Sequence, residues 1–131
     1  MKNQSTNNIP LLFITFILIF VFSAAVEARP SNKWRLHFDG QANNNGTIVL
    51  ELTPESGQPI TIQSEIEDGT KENKAADKVA QDIATVLGDG YKVKEQDGEE
   101  VKIKAKGDTP DFELKIISNS VDGLNVKTDR E

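Results

Sequence analysis

Residues 73–87 read NKAADKVAQDIATVL, and apolar side chains recur in them every three to four positions. That spacing is typical of an amphipathic helix, which buries one face and leaves its charged face in water. We therefore predict a helix here, with Asn73 as its N-cap and with Gly88 and Gly90 ending it. The buried face should consist of Ala76, Val79, Ala80, Ile83, Val86 and Leu87.

Segments with alternating apolar and polar residues lie on both sides of this helix, as expected for strands that bury one face. Three precede it, at 34–38, 47–52 and 60–67, and four follow it, at 91–95, 101–106, 112–116 and from 124 onward. Short turns between them indicate an α+β domain. We predict an antiparallel sheet of about six or seven strands in the order ββ(β)αββββ, with the helix packed on one face. Because one helix cannot cover seven strands, we expect the sheet to curl or its first and last strands to be edges open to a partner.

The turn between the fourth and fifth strands decides which of their side chains face each other. A two-residue Asp-Gly turn would place apolar side chains opposite charged ones, against the alternation. A three-residue loop at 96–98, with its glycine in the left-handed region, pairs Val93 with Val101 and sets Lys94 opposite Glu100. We predict this second register.

The first 28 residues have the three parts of a secretory signal peptide. Lys2 is the only charge before an apolar stretch at 11–22, and Val26 and Ala28 suit a cleavage site. Cleavage near Ala28 would leave one domain, 29–131, secreted or periplasmic and free of the membrane. An uncleaved anchor stays open as an alternative, because no charge interrupts residues 9–26.

Composition excludes several kinds of chemistry. The chain has no cysteine, so it has no disulfide, no thiolate metal site and no cysteine nucleophile. Its net charge of −6 argues against nucleic acid as the partner, since both would be anionic. It contains no phosphate loop, dinucleotide fingerprint or zinc spacing, and we predict no cofactor.

Two groups of residues are candidates for chemistry at one end of the first strand. His37 and Asp39 share a strand face and could act as a general base and its orienting carboxylate. No second catalytic element is in view, so a solvent-facing polar face that runs into a turn is the better explanation. Asp39, Asn43 and Asn45 offer oxygen ligands for calcium, although their spacing does not match an EF-hand and Asn is a turn residue in its own right. We therefore predict neither a catalytic nor a metal site there.

A basic patch is the third candidate site. Lys92, Lys94, Lys102 and Lys104 should lie on one face of the hairpin formed by the fourth and fifth strands. Such a face could bind an anionic partner. The alternative is a solubilising surface that discourages edge-to-edge pairing.

The order of residues 46–50 (GTIVL), 59–67, 75–84 (AADKVAQDIA), 91–93 (YKV) and 101–106 (VKIKAK) resembles small β-rich modules of bacteriophage tail proteins and bacterial surface proteins. Those modules also carry a V-A-x-x-I-A helix between hairpins. The resemblance covers roughly 46–118 and implies a structural, assembly or binding role without catalysis. This chain differs from the modules in being a single copy behind a signal peptide.

We therefore predict a secreted or periplasmic, non-enzymatic domain that binds another protein or a component of the cell envelope. Two alternatives remain open at this point. One is a small hydrolase or carbohydrate-acting enzyme that uses His37 and nearby carboxylates. The other is binding of calcium or a small ligand by the loop 39–46.

Overall fold

The computed structural model describes residues 29–131, which contain seven strands and one α-helix. The predicted signal peptide, 1–28, lies outside the described residues. The strands are β1 Lys33–Gly40, β2 Gly46–Pro54, β3 Ile60–Ile66, β4 Tyr91–Gln96, β5 Glu100–Ala105, β6 Phe112–Asn119 and β7 Leu124–Arg130, and the helix is α1 Glu72–Leu87. The α+β class and all the predicted segments are thus confirmed.

The strands form two antiparallel sheets, so the prediction of a single sheet is wrong. One sheet has four strands in the order β4-β5-β1-β7, and the other has three in the order β3-β2-β6. The first strand, β1, is not an edge but lies between β5 and β7. Seven strands in one layer would leave much apolar surface uncovered by a single helix, whereas two sheets that face each other cover it with their own side chains.

The helix α1 packs against both sheets, through β3 on one side and through β4, β1 and β5 on the other. Its side chains Ala75, Ala76, Val79 and Ile83 are buried in a core that both sheets share. Val86, predicted on this face, is 48% exposed. Ala75 and Val86 are eleven residues apart and so point in nearly the same direction. The sheets therefore cover that side of the helix only at its N-terminal end.

The N-cap of the helix lies two residues earlier than predicted, at Lys71 rather than Asn73. Lys71 occupies the N-cap in an extended conformation, with no capping side-chain hydrogen bond. The carboxylate of Glu72 instead accepts the N–H of Gly40 at 2.7 Å, and this bond ties the first helical turn to the end of β1. At the other end, Gly88 has a positive φ of 66° and donates its N–H to the carbonyl of Ala84, so Gly88 ends the helix as predicted. Gly90 does not cap α1 but ends a short 3₁₀ helix, Gly88–Gly90, that follows it.

Trp34 and Phe112 join the two sheets inside the core. The indole Nε1 of Trp34, on β1, donates to the carbonyl of Phe112, on β6, at 2.6 Å. Tyr91 of β4 packs edge-on against the Phe112 ring, with centroids 5.3 Å apart. Burial of the Tyr91 ring raises the pKa of its hydroxyl.

Ile117 interrupts the alternation of β6 because a β-bulge lies at this point. The β2–β6 register shifts between Val49 and Leu50, which pair with Ser118 and Ile116, so Ile117 is an extra residue and is 53% exposed.

In residues 29–131, no helix is long and apolar enough to cross a membrane.

Candidate functional site

The outer face of the four-stranded sheet carries the predicted basic patch. Val93 on β4 and Val101 and Ile103 on β5 point into the core. Because side chains alternate along a strand, the lysines between them point into solvent. Lys33 of β1 joins this patch. We call these five residues the lysine face: Lys33, Lys92, Lys94, Lys102 and Lys104.

The strand register places these lysines directly opposite one another. Lys92 pairs with Lys104, which in turn pairs with Lys33, and Lys94 pairs with Lys102. Like charges directly opposite each other on one sheet face repel and lower stability.

The predicted β4–β5 register is wrong by two residues. Val93 pairs with Ile103 rather than Val101, and Lys94 therefore faces Lys102 rather than Glu100. The loop comprises residues 97–99 instead of 96–98, and both Asp97 and Gly98 have positive φ angles, of 54° and 78°. A shift of two residues keeps every side chain on the same face, so the alternation could not distinguish the two registers.

A shallow groove of about 200 Å³ lies on this face. The lysine face and Gln96 line it, without any aromatic side chain. Proteins that bind single-stranded nucleic acid rely on aromatic side chains for base stacking. The groove therefore offers charge and alkyl surface to a ligand but no stacking platform.

Glu131 provides a carboxylate at one side of the lysine face. One of its oxygens lies 2.9 Å from the Lys33 ammonium, and the other contacts Arg35 and lies 3.8 Å from the Lys102 ammonium. The hydrogen bond from Lys33, together with the nearby cations, holds the pKa of Glu131 below its ordinary value of 4.5. Glu100 similarly accepts a hydrogen bond from Arg35 at 3.2 Å and raises the pKa of the guanidinium.

The remaining lysines of the face have no such partner. Within residues 29–131, no carboxylate lies within 4.0 Å of the ammonium of Lys92, Lys94 or Lys104. Three of the five cations of the lysine face are therefore free to meet an external anion.

The charge of the whole sheet face is opposite to that of the chain. Seven cationic side chains on this face outnumber four carboxylates, giving a net charge of +3, whereas the chain carries −6. The cations are Lys33, Arg35, Lys92, Lys94, Lys102, Lys104 and Lys127, and the carboxylates are Asp39, Glu100, Asp129 and Glu131. The outer face of this sheet is therefore a basic surface on an acidic protein, and it attracts anions electrostatically.

His37 and Asp39 lie on the same outer face, as predicted, near the other end of β1. They line a depression of about 120 Å³ with Asn125 and Lys127. The imidazole Nδ1 of His37 lies 3.8 Å from a carboxylate oxygen of Glu100, a neighbour that the sequence did not predict. Arg35 lies closer to that oxygen, at 3.2 Å.

The loop that contains Asn43 and Asn45 is held by hydrogen bonds to two other loops. The side-chain oxygen of Asn45 accepts the N–H of Asp68 at 2.8 Å, and that of Asn44 accepts the N–H of Asp122 at 2.8 Å. The backbone N–H of Asn43 donates to the carbonyl of Asp122. In the described part of the chain, no three or more His, Asp or Glu side chains are grouped so that they could hold a metal ion.

A second, larger groove of about 560 Å³ lies beside β3 and is acidic. Glu65, Glu67 and Asp68 line it, together with 45–47. The grooves of the two sheets therefore differ in sign of charge.

No protein-family model matches the chain, and no curated protein shows significant similarity to it.

Proposed function

We propose that this chain is an exported, non-enzymatic binding domain whose lysine face holds an acidic partner protein. The observation that carries the proposal is that lysines lie opposite lysines on β4 and β5: Lys92 pairs with Lys104, and Lys94 pairs with Lys102. Their mutual repulsion costs stability in the isolated domain. The carboxylates of an acidic partner would attract these lysines and offset the repulsion between them. Binding would therefore recover the lost stability.

The environment of the lysine face supports the same proposal. Three of its ammonium groups have no carboxylate within 4.0 Å in residues 29–131, and the groove between them is open to solvent. The predicted signal peptide favours action outside the cytoplasm. The resemblance of 46–118 to modules of phage tail and bacterial surface proteins favours binding over catalysis as well.

A capture experiment with paired variants tests the proposal. The protein is immobilised and exposed to envelope and culture-medium fractions of its source organism, alongside K92Q/K104Q and the control K74Q/K78Q. The control removes the same charge from the outer face of α1, where both lysines contact aspartates. We expect acidic proteins to be retained by the wild type and the control but not by K92Q/K104Q.

Elution with salt shows whether the partner proteins are retained by charge. The Debye length falls from about 30 Å to about 3 Å between 0.01 and 1 M salt, so retained partners should elute over that range. If all three proteins retain the same set of acidic proteins, the lysine face is not the binding surface. If K92Q/K104Q retains the same acidic proteins as the wild type but is less soluble when free in solution, the lysines serve solubility. The proposal is also wrong in that case.

A further inference from the structure

Glu131 shows what kind of group the lysine face accommodates. It directly follows β7, and its backbone N–H donates to the carbonyl of Lys33, so it continues the ladder as extended chain. Its carboxylate contacts cations of both β1 and β5. A carboxylate carried by an extended chain therefore already lies on this face.

The spacing of the lysines on β4 and β5 matches the repeat of an extended chain. Lys92 and Lys94 are two residues apart on β4, as are Lys102 and Lys104 on β5. Side chains at alternate positions of a strand repeat about every 6.8 Å. An extended peptide with an acidic residue at every second position presents carboxylates at the same interval. Such a peptide could contact successive lysines of either row without distortion.

The chemistry of the groove favours carboxylates on a flexible segment over a planar or aromatic ligand. Its cations are lysines, which act as point charges on flexible stems, rather than arginines, whose fork recognises one anion geometry. No aromatic side chain is present to stack on a base. Recognition must therefore depend on the number and spacing of the charges.

We propose that the ligand of the lysine face is an extended acidic segment of a partner protein, with Asp or Glu at alternate positions, aligned with the lysine rows of β4 and β5. This inference rests on the proposed function and specifies its partner. The segment would lie beside Glu131, whose carboxylate competes with it for Lys33 and Lys102.

Fluorescence anisotropy with two peptides of identical composition tests the inference. One peptide is a Glu-Thr repeat, and in the other all glutamates precede all threonines. Both carry the same charge, but only the repeat places every carboxylate on one side of an extended chain. We expect the repeat to bind the full-length protein roughly fivefold more tightly, as a few additional exposed ion pairs would produce.

Variants make the outcomes distinguishable. K92Q/K104Q should lose the preference for the repeat, and K74Q/K78Q should keep it. E131Q should bind the repeat more tightly, because it removes the competing carboxylate. Equal binding of both peptides that still depends on Lys92 and Lys104 would overturn the inference and leave the proposed function intact.

Two further outcomes would overturn more. If a linear polyphosphate binds this face more tightly than the repeat and K92Q/K104Q abolishes that binding, the ligand is a phosphate polymer rather than an acidic segment. If neither peptide binds, or if K92Q/K104Q binds both as the wild type does, the lysine face is not an anion-binding surface and the proposed function fails with it.

Discussion

At the scale of single residues, Glu131 connects three cations that would otherwise repel one another. Lys33, Arg35 and Lys102 come from two neighbouring strands, and the carboxylate contacts all three. Its side chain is 18% exposed, so water screens these contacts only in part. The hydrogen bond from Lys33 is the largest cause of its lowered pKa, and proximity to Arg35 and Lys102 adds to it.

The lowered pKa of Glu131 predicts a pH-dependent contribution to stability. A carboxyl group whose pKa is lower in the folded state stabilises the fold above its unfolded pKa, near 4.5, and loses this effect as the pH falls through its folded pKa. At neutral pH, E131Q should lower the free energy of unfolding by at most about 1 kcal/mol. Urea unfolding at several pH values should show this difference shrinking below pH 4.5. A difference that persists unchanged at pH 2 would contradict the account.

Gly123 lies where two loops approach too closely for a side chain. Its φ is +82°, and a Cβ there would lie 2.4 Å from the carbonyl oxygen of Gln41 and from the amide nitrogen of Asn43. Gly69 has a similar φ of +85° but nothing within 4 Å of the same position. The two glycines therefore share the backbone strain that alanine would suffer and differ only in the clash.

We predict that G69A costs about 1–2 kcal/mol of stability, the penalty for a left-handed alanine. G123A should cost about 1–3 kcal/mol more, because the loop that contains Gln41 must move away. Thermal unfolding of both variants followed by circular dichroism measures the difference. Equal losses would show that the loops do not pack as closely as described.

At the scale of elements, α1 depends on one end of its apolar face more than on the other. Ile83 is fully buried between the two sheets, whereas Val86, one turn further on, is 48% exposed. The sequence pattern gave both the same role, since both fall within the apolar stripe. Only the extent of the neighbouring sheets distinguishes them.

Alanine substitutions should therefore differ sharply along this helix. I83A should cost about 2–5 kcal/mol, because it removes buried methyl and methylene groups and leaves a cavity. V86A should change stability by no more than about 0.5 kcal/mol. Chemical denaturation of the two variants provides the comparison. Similar losses for both would mean that Val86 is buried after all.

The strands were predictable because burial imposes a period of two on each of them. Leu36, Ile62 and Ile103 illustrate this, since each is fully buried and lies between residues that are charged or polar. The register of β4 and β5 was not predictable, since it depends on positive φ angles at both Asp97 and Gly98. The sequence therefore predicted the lysines on one side of the hairpin but not their opposition to one another.

At the scale of the whole molecule, the division into two sheets depends on pairs that are distant in sequence. β1 pairs with β5 and β7, and β2 pairs with β6, across the helix and several turns. Trp34 then joins the sheets through the Phe112 carbonyl. Alternation shows that a segment is a strand but does not identify the strand with which it pairs. The division into a four-stranded and a three-stranded sheet could therefore not be predicted from the alternation.

The charge distribution also emerges only at this scale. The sequence predicted four lysines on one hairpin, and the fold adds Lys33, Arg35 and Lys127 from β1 and β7. The fold also adds Glu131, which is distant in sequence from the two lysines that it contacts, Lys33 and Lys102. A net positive face on an acidic protein is thus a property of the assembled four-stranded sheet.

The most direct test is a two-dimensional ¹H–¹⁵N NMR titration of the protein with the Glu-Thr repeat peptide. We expect the largest amide shifts in β4, β5 and Glu131, with little change in α1 or in the three-stranded sheet, and we expect K92Q/K104Q to abolish them. Shifts centred on α1 or on the acidic groove beside β3, or no shifts at all, would contradict the assignment of the lysine face as the binding surface.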